Sequence, residues 1–121
     1  MPHISHYKYA CIIHGSTRVW GRPDGAEIPT WDDLSDHARD LAALAVEKLL
    51  GEPPHTPEEL HEIWAQPLRD LGWVCGPGWC DQKKHHPCLV PYDELPESEK
   101  IKDHLWSAMI EVFRKIEEGK L

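Results

Sequence analysis

The residues best suited to chemistry in this chain lie between Arg69 and Tyr92. Trp73 follows Gly72, Arg69 stands one helical turn earlier, and Lys83-Lys84-His85-His86 is the densest basic cluster. A purine needs a flat apolar surface to stack on, worth about 1–3 kcal/mol per base. Its phosphate needs fixed donors, for which Arg is bidentate and Lys a point charge. Trp73, Arg69, Lys83 and Lys84 supply these groups, and His86 and Tyr92 add hydrogen-bonding side chains. Arg18 offers a further guanidinium from the front of the chain. The competing reading makes Trp73 core, lays the Arg69 stem along its helix and leaves the lysines solvated.

Catalytic patterns are missing. His61-Glu62 begins like a zincin helix, but position 65 is Ala where the second metal ligand belongs. There is no G-x-S-x-G, phosphate loop or dinucleotide fingerprint. Four cysteines, Cys11, Cys75, Cys80 and Cys88, raise the question of zinc. Cys75, Cys80, His85 or His86, and Cys88 fall close together, yet their C-x4-C and H-H-P-C spacings depart from the paired ligands of structural zinc sites. Small thiols in a reducing compartment, without disulfides, are the simpler expectation.

The chain has 121 residues, enough for one compact domain over 1–121 and no second independent unit. Its 13 Lys and Arg against 21 Asp and Glu give a net charge of −8, which disfavours general nucleic-acid binding but not a small anion held locally. No apolar run is long enough to span a membrane, and the Met-Pro-His-Ile start is not a signal peptide, so a cytoplasmic location is expected. Six Trp stand against a single Phe. Trp64 and Trp106 fall on apolar helical stripes and read as core, whereas Trp20 and Trp79 fall in polar, Gly-containing stretches and read as exposed.

These groups must be carried by helices. Ile4, Tyr7, Cys11 and His14 predict a first helix over 4–14, followed by a loop through Gly21–Gly25. Trp31 leads into a second, capped by Ser35 or Asp36, with Ala38, Leu41, Ala42, Ala45 and Leu49 inward and Gly51 at its end. Thr56-Pro57-Glu58-Glu59 is a capping box with Pro at the first helical position. The third helix then presents Leu60, Ile63, Trp64, Leu68 and Leu71, with a kink or early end at Pro67. Trp73-Val74-Cys75 and Cys88-Leu89-Val90 predict two short strands. The last helix runs from Pro96 to Glu118, with Ile101, Leu105, Met109, Val112, Phe113 and Ile116 facing the core. The expected class is α+β, mostly α, with four helices and a two-stranded β element.

An internal echo accompanies this order. Trp31-Asp-Asp-Leu-Ser-Asp and Tyr92-Asp-Glu-Leu-Pro-Glu align at an offset of 61, and each opens an amphipathic helix. His14 and His61 head the preceding segments. A pair of half-repeats and a coincidence of two helix starts both fit this pattern.

Residues 60–113 closely resemble the RyR domain, the repeat of ryanodine receptors found also in small bacterial and phage proteins. The match lies in His61-Glu62-x-Trp64-Ala65, Gly72-Trp73-Val74-Cys75-Gly76-Pro77, Asp81, Lys83-Lys84, and the long run His86-Pro87-Cys88-Leu89-Val90-Pro91-Tyr92-x-x-Leu95-Pro96, with Glu99-Lys100 and Asp103 after it. His14, Arg18 and Trp31 are similar to the front half of compact proteins of this type. Pro67 and Cys75 depart from the family pattern. The resemblance implies an RyR-like half over 53–121 behind a helical half over 1–52, a pseudo-two-fold pairing, no catalytic activity, and association with adenine nucleotides.

The resulting expectation is a non-catalytic module without cofactor, holding a nucleotide-like small molecule between its halves or across a homodimer. It would act as a sensor or sequestering protein in a phage or bacterial setting. Two alternatives stay open: a protein–protein adaptor using exposed tryptophans, and a zinc-stabilised structural module.

Overall fold

Helix boundaries follow the capping chemistry. In the computed structural model, which describes residues 3–21, 27–78, 80 and 82–121, the chain forms α1 (Ile4–Arg18), α2 (Asp36–Leu50), α3 (Pro57–Asp70) and α4 (Glu97–Glu117). Thr56 Oγ1 accepts the Glu59 N–H at 3.2 Å and Glu59 Oε1 accepts the Thr56 N–H at 3.0 Å, closing the expected box. Ser35 Oγ accepts from the Ala38 N–H and caps α2. At α1 an imidazole does this work: His3 Nδ1 accepts from Ser5 N–H while His6 Nδ1 accepts from His3 N–H. α1 runs on to Arg18, and Pro67 does not end α3, which continues to Asp70.

The core is shared by all four helices. Tyr9, Ala10 and Ile13 of α1 meet Val46 and Leu49 of α2, Leu60 of α3, and Ile110 and Phe113 of α4. The only Phe stacks on Tyr9 with ring centroids 4.2 Å apart and planes 15° from parallel, an arrangement worth about 0.5–1.5 kcal/mol beyond its buried area. α4 packs on each of the other three helices. Its Arg114 donates to Leu50 O at 2.9 Å and Leu49 O at 3.0 Å, satisfying the open carbonyls at the end of α2.

The α+β expectation is overturned. Among the described residues there is no strand, only isolated bridges of His85 with Val74 and with Cys80. Cys88-Leu89-Val90 forms no ladder. Pro87 lacks an N–H to give one, and side chains claim the neighbouring backbone. His86 Nδ1 accepts the Cys88 N–H at 3.0 Å, and His61 Nε2–H donates to Val90 O at 2.7 Å. Gly76 permits the bridged turn, since a Cβ there would fall 2.5 Å from His85 Cβ.

Stripe assignments also shift. Leu41 of α2, Leu71 just past α3, and Val112 and Ile116 of α4 are exposed, and Ala43 and Val46 are the most buried residues of α2. The buried face of α2 is rotated by about one residue from the expected stripe, because α2 packs against both α1 and α4. Trp106 packs against the core and Trp20 is exposed, as expected, and Trp31 also packs on the core. Trp79, Asp81 and most of the Gly21–Gly25 loop lie outside the described residues.

One arrangement occurs twice. His14 Nε2–H donates to Pro29 O at 2.7 Å, with Trp31 6.0 Å away and opening a short 3-10 turn, Trp31–Asp33. His61 treats Val90 O at the same distance, with Tyr92 6.2 Å away and opening the turn Tyr92–Glu94. Arg39–Asp36 and Lys100–Glu97 are corresponding ion pairs on the helices that follow.

Candidate functional site

The predicted ligand residues divide into those with local structural duties and those that meet. Trp73 belongs partly to the first group. Gly72 adopts φ +90° just past α3, Gly72 N–H bonds Arg69 O at 2.9 Å, and Trp73 N–H bonds Leu68 O at 3.0 Å. That is a Schellman ending, and Trp73 is the residue that commonly packs back on the helix. It is half-buried. Lys84 is taken up at the same end. Its Nζ donates to Leu71 O at 2.8 Å, and its own φ is +55°.

Arg69 is already paired. Its guanidinium holds Glu62 at 2.7 Å along the same helix, which keeps the Glu62 carboxyl below the usual range. Arg18 Nε–H donates to Ile28 O at 2.9 Å within the front half. Lys83 is exposed. The described contacts therefore do not gather Arg18, Arg69 and Lys84 around one phosphate.

His86 and Tyr92 do meet, through two residues that were not expected in the site. The His86 ring stands edge-on to Trp64, 4.9 Å between centroids. Trp64 lies 5.7 Å from His61, and His61 lies 6.2 Å from Tyr92. Four rings thus run in sequence across α3 and the 86–92 turn. Leu60, His61 and Ala65 on this side of α3 are buried, yet Trp64 among them is 40% exposed. It occupies the packed face without being covered. The core reading of Trp64 is corrected accordingly: helical period identifies the inward face but not whether a neighbour closes it.

The charge around these rings is uneven. Tyr92 is half-buried, its hydroxyl 3.2 Å from His104 Nε2, and Lys100 Nζ stands 5.5 Å from its ring centroid. Burial, with Glu58, Asp103, Glu97 and Asp93 nearby, raises the Tyr92 pKa. Beneath the rings, burial beside Glu99 pushes the Asp103 carboxyl up to about 7, opposed by Lys102. Cys88 is buried next to the same acid, and its thiol is pushed up to about 12. Such a thiol is a poor nucleophile and a poor metal ligand at neutral pH. Among the described residues no group of three His, Cys, Asp or Glu is placed to hold a metal ion, so the zinc-stabilised reading finds no ligand set there. All four cysteines are free.

A separate concavity of about 350 Å3 lies where the ends of α2 and α4 meet the start of α3. Buried Leu49, Leu60 and Ile110 line it, together with Arg114 and His55. Both side chains are engaged, Arg114 by the α2 carbonyls and His55 by Glu52 and Glu59. No predicted site residue lines it. His-x-x-Trp at one-turn spacing on α3, together with the ring of His86, was the signal available for the aromatic face.

No helix among the described residues is long and apolar enough to cross a membrane. Residues 53–116 match the model of the RyR domain, a span that holds α3, the bridged turn, all four rings and nearly all of α4. That match covers more than half of the chain and supports a ligand-binding or interaction module at most. The chain belongs to the RyR domain family.

Proposed function

We propose that the chain is a non-catalytic module that binds an adenine nucleotide or nucleotide-derived signal, with the base on Trp64 between His61 and His86. The observation that carries this reading is a large indole left 40% exposed on the otherwise buried side of α3. Aromatic neighbours at 4.9 and 5.7 Å give the indole a fixed orientation, which lowers the ordering cost of stacking. The acidic groups around Tyr92 disfavour a phosphate there, so the anionic end is assigned toward Lys83 and Lys84. A role as sensor or sequestering protein of a phage or bacterium is taken from the family resemblance, and a cytoplasmic setting from the expectation of reduced thiols.

Calorimetric titration with adenosine, AMP, ADP, ATP and cyclic dinucleotides tests the proposal. Trp64→Ala should weaken binding roughly 5- to 150-fold, the equivalent of about 1–3 kcal/mol. Trp73→Ala should act chiefly on the end of α3. Absence of binding by every compound at millimolar concentration refutes it. Exposed Leu71 and Val74, flanking Trp73, favour a second reading as a protein–protein adaptor. It requires a partner whose binding survives Trp64→Ala and fails with Leu71→Asp.

A further inference from the structure

We propose that Asp103 is a positioning residue for the Trp64 face: a proton taken up by the Asp103–His61 pair tightens the grip of His61 on Val90 and raises the face's affinity on acidification. The functional consequence rests on the site reading above, and the mechanism rests on buried geometry. His61 is 2% exposed, and its Nε2–H donates to Val90 O at 2.7 Å. A carbonyl only accepts, so the Nε2 proton is fixed and Nδ1 is the nitrogen that gains or lacks one. Nδ1 lies 3.8 Å from Asp103 Oδ2.

With no proton between them, a ring lone pair faces a carboxylate in a poorly solvated space. One added proton, carried by either atom, turns that contact attractive. A cationic ring also makes the bond to Val90 charge-assisted, hence shorter and about twice as strong. Val90 leads through Pro91 into the Tyr92 turn, and the His61 ring lies between Tyr92 and Trp64. The grip therefore acts directly on the rings of the site.

The surroundings set where this proton exchanges. Asp103 is faced by Glu99 and Lys102 from α4 and by Glu58 and His61 from α3. Cys88 and Tyr92 face it from the intervening segment. Lys102 is committed elsewhere, to Glu99 at 2.8 Å and to Gly21 O. Glu99 also takes the Cys88 thiol. Two acids and burial against one engaged lysine hold the Asp103 proton into the neutral range.

Imidazole 15N–1H NMR of the free protein between pH 5.5 and 8.5 tests the link. The His61 resonances and the Val90 and Tyr92 amides should move together in the wild type as the Asp103 carboxyl, pushed up to about 7, exchanges its proton. In Asp103→Asn, whose carboxamide N–H donates to Nδ1 at every pH, they should stay flat. Adenosine has no group titrating in this range, and it should bind the wild type several-fold tighter at pH 6 than at pH 8. It should bind the Asn variant equally at both. A wild-type His61 that does not titrate, or one whose titration leaves the Val90 and Tyr92 amides still, overturns the proposal whether or not the variant folds. So does a profile unchanged in Asp103→Asn, or equal adenosine affinity at both pH values. Adenosine failing to bind at either pH refutes the site reading instead and leaves the imidazole titration to judge the proton link.

Discussion

Replacing Asp103 with Asn should stabilise the protein at alkaline pH and do little near pH 4. The carboxyl is only 20% exposed, and burial with neighbouring Glu99 raises it from 3.8 to about 7. The folded state then holds this proton more tightly than the unfolded state. Below about pH 4 the group is protonated in both states and costs nothing. Between 4 and 7 folding must retain a proton that the unfolded chain has released, and stability falls as pH rises. Above 7 the full penalty applies. A shift of about 3 units corresponds to a ceiling near 4 kcal/mol, since each unit is about 1.4 kcal/mol. Lys102 and the remaining solvent access of the carboxyl return part of it, leaving about 1–3 kcal/mol. Urea denaturation of wild type and Asp103→Asn at pH 4.5, 6, 7.5 and 8.5 reads the difference directly. It should grow with pH up to about 7.5 and then level. A difference constant with pH, or an Asn variant that loses ground as pH rises, would show that the carboxylate is held as a favoured anion and would refute the reasoning.

Phe113→Ala should cost about 3–5 kcal/mol in urea denaturation, because the ring is 5% exposed and stacked on Tyr9. Gly76→Ala should loosen the bridged turn, since its Cβ would fall 2.5 Å from His85 Cβ. Hydrogen exchange should then speed up at the Val74 and His86 amides, which bond Lys84 O and Val74 O, while the α1 amides keep their protection. Thiol labelling at pH 8 should modify exposed Cys75 early and Cys88 last, given a buried thiol pushed up to about 12. Arg69→Ala should change stability by less than about 1 kcal/mol, as its pair with Glu62 is solvent-exposed.

Helix ends were legible wherever a short-range signal exists: the Thr56 box, the Ser35 cap and the Gly51 stop all act within a few residues of their own position. The α1 cap was not, because His3 and His6 are unusual capping residues. The 73–91 segment misled because Val-Cys and Leu-Val runs satisfy strand propensity, whereas its backbone groups are claimed by side chains, His61 from α3 and His86 from within the segment. Sequence spacing does not show such partners. The site suffered similarly. His86 and Tyr92 were found from their residue types, but Arg69 and Lys84 fit a phosphate by type while their hydrogen bonds go to Glu62 and Leu71 O. Trp64 was assigned to the core by its stripe, which is correct about direction and silent about cover.

The twice-used histidine arrangement explains why the aromatic face and the proton link arise on one side only. In both places a helix histidine holds the carbonyl two residues before an aromatic that opens a 3-10 turn. What differs is the residue one turn on and the residue opposite. Trp64 follows His61 by three positions, whereas Thr17 follows His14 and returns its hydroxyl to His14 O at 3.1 Å. At the offset of 61 that aligns Tyr92 with Trp31, Asp103 aligns with Ala42, Glu99 with Ala38 and Lys102 with Leu41. Ala42 packs against the core and has no proton to exchange. The front arrangement is therefore structural, its histidine facing no carboxylate from the following helix. Installing Asp at Ala42 would bury a carboxyl without the Lys102-type counter-charge, and it should destabilise the protein increasingly as pH rises. An A42D variant whose urea midpoint did not fall with pH would show that a front-half carboxylate is solvated, and that the two helices behind these turns are less alike than their ion pairs suggest.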